Sequence, residues 1–95
     1  DFALVYLRNP ETDFEIELTP NKGRTEPYTH GSGYGHLGVV VPDAAALHAA
    51  LAAKGHEPAP VKEFKRGDEL LARFFFIQDP DGYKIEMLER HGHYQ

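Results

Sequence analysis

Two short stretches alternate apolar and polar positions with a period of two, the mark of half-buried strands. In Phe14-Glu15-Ile16-Glu17-Leu18, Phe14, Ile16 and Leu18 point one way and Glu15 and Glu17 the other. Tyr83-Lys84-Ile85-Glu86-Met87 repeats the order, so the two segments share the pattern aromatic-x-Ile-Glu-aliphatic. Each follows a β-type apolar run and a turn. Phe2 to Leu7 leads through Asn9-Pro10-Glu11-Thr12 into the first, and Arg73-Phe74-Phe75-Phe76-Ile77 leads through Asp79-Pro80-Asp81-Gly82 into the second. In the second turn Pro80 presets φ, Asp81 favours a turn and Gly82 tolerates positive φ. Two hairpins of one design form an internal repeat that sets Glu17 and Glu86 at equivalent points.

Thr19 to Ser32 is rich in Pro, Asn, Gly, Thr and Ser without periodicity, and reads as a linker long enough to cross between two halves of a fold. Gly33 to Val41 is the next expected strand. His36 lies near its start and shares a face with Gly38 and Val40, and the flanking glycines leave room beside its ring. Ala44 to Lys54 is the one clear helix, with Asp43 as N-cap, Leu47 and Leu51 one turn apart, and Gly55 at the C-cap. Its apolar stripe is expected on a sheet and His48 on its surface. His56 to Phe64 reads as an irregular strand interrupted by Pro58 and Pro60. Lys62, Lys65 and Arg66 then form a basic cluster, expected in a loop closed by Gly67-Asp68. Ala72 to Ile77 and Tyr83 to Glu89 finish the sheet, and His91 to Gln95 is expected to be a flexible end.

The predicted fold class is α+β, as a single domain over 1–95. A complete βαβββ module spans about 33–90, the second half of another about 1–22, a linker 23–32 and a tail 91–95. The chain opens at Asp1, directly before a strand, so the start of the first module is expected to be missing.

Composition narrows the function classes. At 95 residues the core is limited, and pairing with another chain would help. Hydrophobic content of 41% and charged content of 26% are ordinary for a globular chain. The absence of cysteine excludes disulfides and thiolate metal sites. A net charge of -5 disfavours nucleic acid and anionic membranes as partners. No apolar run approaches spanning length and no signal-peptide pattern opens the chain, so a cytoplasmic protein is the expectation.

Taken singly, the polar candidates have ordinary readings beside functional ones. A lone strand His is commonly a hydrogen-bonded structural residue, and Glu17 alone would be a solvated carboxylate; only the repeat with Glu86 raises it. Asn21 and Lys22-Gly23-Arg24 are binding groups or solvated loop, and the Lys62, Lys65, Arg66 run is solvated or receives an anion. The His-x-His of the tail lacks the ligand count of a stable metal site.

Ile16-Glu17-Leu18-Thr19-Pro20-Asn21, Gly35-His36-Leu37-Gly38 and Asp79-Pro80-Asp81-Gly82-Tyr83-Lys84-Ile85-Glu86 resemble segments of the glyoxalase I family (lactoylglutathione lyases), within the vicinal oxygen chelate superfamily. The resemblance covers nearly the whole chain, and the combination Glu17, Asn21, His36 and Glu86 is its most diagnostic part. It implies a divalent metal, Ni²⁺, Zn²⁺ or Co²⁺, held by two His and two Glu, with Glu17, His36 and Glu86 as three of the four ligands. The remaining His, and an Arg that helps grip glutathione, would belong to the opening strand of the first module. Asn21 matches a glutathione-binding Asn, and Lys62, Lys65 and Arg66 fall where some members hold the glycyl carboxylate.

The implied reaction converts the hemithioacetal of methylglyoxal and glutathione to S-lactoylglutathione by carboxylate proton transfer through a metal-stabilised enediolate. Glu86 is the implied base, with Glu17 as ligand or as base for the other face. The resemblance also implies a homodimer whose sites combine first-module ligands of one chain with second-module ligands of its partner. An extradiol dioxygenase would leave Glu17 superfluous, since two His and one carboxylate serve its iron. An epimerase such as methylmalonyl-CoA epimerase, a thiol transferase and a metal-free small-molecule-binding module are the other readings. Asn21 favours the glutathione enzyme over the epimerase.

Overall fold

The computed structural model describes residues 1–11 and 13–94, so Thr12 of the expected first turn and Gln95 of the tail lie outside the described residues. The elements run β1 (Val5–Leu7), β2 (Ile16–Leu18), β3 (Leu37–Val41), α1 (Ala44–Ala53), β4 (Lys62–Arg66), β5 (Glu69–Gln78) and β6 (Lys84–Glu89). From β3 onward this is the expected order strand, helix, strand, strand, strand. β1 and β2 pair antiparallel as a two-stranded sheet, and the other four strands form a second sheet in the order β3-β6-β5-β4. β3 runs parallel to β6, whereas β4–β5 and β5–β6 are antiparallel. This α+β arrangement has the expected βαβββ order from β3 to β6, preceded by a separate two-stranded sheet.

Local chemistry explains the best-defined elements. Asp43 accepts the Ala46 N–H at 3.0 Å, capping a helix that ends at Lys54 and turns away through Gly55 at φ 89°. Between β5 and β6, the Asp79 side chain accepts from the N–H groups of Asp81 and Tyr83, both at 2.9 Å, and Gly82 takes φ 89°. The basic cluster is not in a loop: Lys62, Lys65 and Arg66 lie within β4, which begins only after Pro58 and Pro60. Their strand state comes from pairing with β5, where Lys62 faces Phe74 and Arg66 faces Glu69, across a register shift at Phe64/Lys65.

The sheet has two unlike faces. Val39, Met87 and Phe75 lie in one register row on the face that α1 covers. Phe75 and Ala44 are fully buried there, and the His48 ring meets Phe75 edge-on at 5.2 Å. His48 is thus half-buried against the core rather than on the helix surface, and its Nε2 is buried without a hydrogen-bond partner. On the same face Glu89 accepts the Ala44 N–H at 3.0 Å and an Arg73 guanidinium nitrogen at 2.6 Å. Arg73 also donates twice to Glu63, at 2.7 and 3.0 Å, which holds the Glu63 carboxyl below the usual carboxylate range and raises the Arg73 pKa. The opposite face carries Gly38, Glu86 and Phe76 in one row and Val40, Leu88, Phe74 and Lys62 in the next, with no helix over it among the described residues.

The linker and the tail are both fastened to this sheet. His30 stacks on Tyr83 with centroids 3.9 Å apart and its Nε2 is 3.0 Å from the Asp81 carbonyl, while the Tyr34 hydroxyl donates to the Lys84 carbonyl at 2.8 Å. The tail, expected to be flexible, closes a bridge between His91 and Tyr94, and the His91 ring nitrogen lies 2.8 Å from the Leu70 carbonyl.

Candidate active site

β3 and β6 are neighbours in parallel register, which brings the residue before β3 and the third residue of β6 to one end of the open face. His36 Nε2 lies 3.2 Å from Glu86 Oε1, and the His36 ring meets Phe76 edge-on at 5.1 Å. The His36 side chain is 43% exposed and that of Glu86 only 17%, so the imidazole is the part offered to a ligand and the carboxylate sits beneath it. Gly38 completes the row; a Cβ there would come within 3.2 Å of Leu88 Cδ1, so its lack of a side chain keeps the floor beside Glu86 low. Beside His36 opens a cavity of about 980 Å³, bounded by Tyr34, Phe76 and Lys84 on the sheet side and by His56 and Glu57 from the segment after α1.

The other residues singled out from sequence stand apart from this pair. Glu17 is on β2, opposite Tyr6 in the two-stranded sheet, and accepts a 3.4 Å hydrogen bond from the Thr19 hydroxyl. Among the described residues no group of three or more His, Cys, Asp or Glu is arranged to hold a metal. Asn21 follows in the linker, bridged to Phe2, and donates through Nδ2 to the Tyr28 hydroxyl at 2.5 Å. Of the β4 cations, Lys62 shares the open face with Phe74, Lys65 reaches Glu63 at 3.6 Å and Arg66 pairs in register with Glu69.

Lys84 and the pair His56 and Glu57 were not among the sequence candidates. Lys84 was legible in principle, because it stands two residues before Glu86 and a strand repeats its face every second residue. Nothing local marks His56 or Glu57, which reach the cavity through the path of the chain after α1; Ala59 N–H donates to the Phe76 carbonyl at 2.9 Å and fixes that path.

Over residues 3–87 the chain matches the family described as the Glyoxalase/Bleomycin resistance protein/Dioxygenase superfamily. The chain belongs to this superfamily. It is similar to a probable chloroplastic lactoylglutathione lyase of Arabidopsis thaliana, with 45% identity over 84 residues, covering 84% of this chain and 22% of that protein. A lactoylglutathione lyase of Haemophilus influenzae is 43% identical over 94 residues, 93% of this chain and 64% of that protein. One from Salmonella typhimurium is 41% identical over 85 residues, 84% of this chain and 58% of that protein. The chain spans less than two thirds of the length of each of these relatives. No helix among the described residues is long and apolar enough to cross a membrane.

For this superfamily member the donor chemistry of the pair fits a divalent ion. Imidazole and carboxylate ligands of such ions sit about 2.0–2.2 Å from the metal, which separates adjacent donors by roughly 2.8–3.6 Å at octahedral to tetrahedral angles. The observed 3.2 Å between His36 Nε2 and Glu86 Oε1 falls in that range. The spacing supports a divalent-ion site and is common to several such ions.

Proposed function

We propose that the protein to which this chain belongs isomerises the methylglyoxal–glutathione hemithioacetal to S-lactoylglutathione, and so detoxifies methylglyoxal. The observation that carries the reading is the His36–Glu86 pair, 3.2 Å apart on the open face of the sheet and flanked by a cavity of about 980 Å³. The relatives named lactoylglutathione lyase support the choice of substrate. A cytoplasmic location goes with the proposal, since glutathione is held reduced there.

His36 and Glu86, together with Glu17 and a further His, would hold one Ni²⁺, Zn²⁺ or Co²⁺. When bound, that ion supplies Lewis-acid stabilisation of negative charge on the substrate's two oxygens. Glu86 takes the proton from the carbon that bears sulfur, and Glu17 serves as ligand or as base for the opposite face. The electron pair of that C–H bond moves toward the adjacent carbonyl, and the proton returns to what was the carbonyl carbon. The hemithioacetal's hydroxyl proton passes to the former carbonyl oxygen, so one C–H and one O–H bond break and one of each forms, leaving a hydroxyl beside a thioester with no external oxidant or reductant. Phe76, edge-on to His36, gives the cavity an apolar wall beside the pair. Asn21 and the cations Lys62, Lys65 and Arg66 are proposed for the glutathione arm; Lys62, in the row of Phe74 and Leu88, shares its face with Glu86.

A homodimer completes this reading. His36 and Glu86 come from one subunit, and Glu17, which lies on the separate β1–β2 sheet, would serve the partner's pair. In the full-length enzyme Glu86→Gln abolishes isomerisation of the hemithioacetal, whereas His93→Ala, in the tail, leaves it intact. Full activity in Glu86→Gln sinks the assignment. Protein that dimerises yet neither retains nor takes up Ni²⁺, Zn²⁺ or Co²⁺ on titration is instead a metal-free binding module.

A further inference from the structure

The stretch after β2 has no regular secondary structure, yet three of its side chains are locked together. Asn21 is fixed in the backbone by its bridge to Phe2 and by the Lys22 N–H, which donates to the Asp1 carbonyl at 2.9 Å. Gly23, at φ 83°, then reverses the chain. The reversal lays the Arg24 guanidinium over the Tyr28 ring, Cζ 3.8 Å from the centroid. Arg24 Nε is committed to the Glu26 carbonyl at 3.1 Å, and the Tyr28 oxygen accepts Asn21 Nδ2 at 2.5 Å. No ion pair among the described residues involves Arg24. Its two terminal amino groups therefore form a charged, planar fork that is already oriented and has no anion.

Such a fork costs rotamer entropy to hold, and a stacked Arg with its Nε occupied presents its outer edge for a bidentate contact. The complementary ligand is a planar carboxylate taking two parallel N–H···O bonds, with the Tyr28 hydroxyl proton as a third donor beside them. We propose that Arg24 is a carboxylate-binding residue of the substrate site, with Tyr28 as the positioning residue that holds both the guanidinium and the Asn21 amide. Asn21 lies four residues beyond Glu17, so the subsite is tied by a short segment to one of the proposed proton-transfer carboxylates. The proposal rests on the glutathione reading for the identity of the ligand: the fork takes one carboxylate of the thiol arm, remote from the reacting carbon.

The test uses calorimetric titration of the full-length protein with S-methylglutathione and with its dimethyl ester, beside steady-state kinetics on the hemithioacetal. Arg24→Met, which keeps the stem over Tyr28, weakens S-methylglutathione binding by about tenfold or more. Binding of the ester by the same variant matches wild type, and KM rises with kcat unchanged. Tyr28→Phe, which keeps the ring and loses the hydroxyl, gives a smaller loss in the same direction, and Arg24→Lys recovers only part. Equal losses for acid and ester, or an Arg24→Met variant that binds like wild type, overturns the subsite while leaving the isomerase reading intact. Wild-type protein that binds S-methylglutathione in an Arg24-dependent way but isomerises nothing upholds the subsite and overturns the isomerase. Wild-type protein that binds neither compound overturns both.

Discussion

The two copies of the strand motif meet opposite fates. In Tyr83-Lys84-Ile85-Glu86-Met87, Ile85, Glu86 and Met87 are all half-buried, because β6 lies between β3 and β5 and α1 covers its far face. In Phe14-Glu15-Ile16-Glu17-Leu18 every residue is exposed; Phe14 is 61% exposed, although its sequence is the more apolar of the two. β2 has a single partner, β1, and Leu7, Phe14 and Ile16 face β3 across an open cleft of about 540 Å³. Alternation therefore specifies which side chains could be buried together, while neighbours decide whether they are. A two-stranded ribbon with three-residue strands has too few neighbours to do so on its own.

The sharpest way to break the contrast is to remove one aromatic from each region. Phe75→Ala, at the fully buried centre of the module, lowers unfolding free energy by about 3–5 kcal/mol in chemical denaturation. Phe14→Ala changes it by no more than about 0.5 kcal/mol in the isolated chain. Comparable losses from both would mean that the hairpin belongs to the same core. A smaller effect is expected from Asp43→Ala, which removes the helix cap and costs about 1 kcal/mol, with the β1–β2 pairing unaffected in amide exchange.

The smallest effect concerns pH. Because the Arg73 hydrogen bonds depress the Glu63 pKa in the folded chain, the stabilisation they give is present above the unfolded carboxylate value and is lost as pH falls through the folded one. The thermal midpoint of Glu63→Gln should therefore fall less steeply than that of wild type as pH is lowered through the acid range. Parallel curves would show that this pair does not link folding to protonation.

Where the determinants are local, the sequence was a sufficient guide. Asp43 and Gly55 bracket the helix, and Asp79 to Gly82 make the turn through their own side chains and φ preferences. The neighbourhood of His36 and Glu86 was also legible, because Glu86 stands on one strand of the module and His36 immediately before another. The bounds of β4 were misjudged: a strand was expected over His56 to Phe64, but it begins at Lys62 and runs on through Arg66, because its ladder to β5 and not its hydrophobicity makes it a strand. The His30–Tyr83 stack, the His91–Leu70 contact and the inward face of His48 were invisible for a related reason. Each depends on a partner far away in the chain, and polar aromatic residues carry no periodic signal of where they will point. Tyr28 was passed over because its linker reads as irregular, although irregular backbone can hold a side-chain cluster as firmly as a helix does.

The four-stranded sheet has two margins that treat an approaching chain differently. One is β4, where Lys62, Lys65 and Arg66 stud the strand and a register shift kinks its ladder, so that a foreign strand would meet like charges and mismatched spacing. The other is β3, Leu-Gly-Val-Val-Val, uncharged and smooth. A sheet guarded on one border and open on the other is extended more readily at the open one. Accretion of one β4 border on another is disfavoured, because each would bring its own row of cations to the seam. The border beside His36 is the better recipient, and a strand added there would lie next to the chemistry rather than behind it.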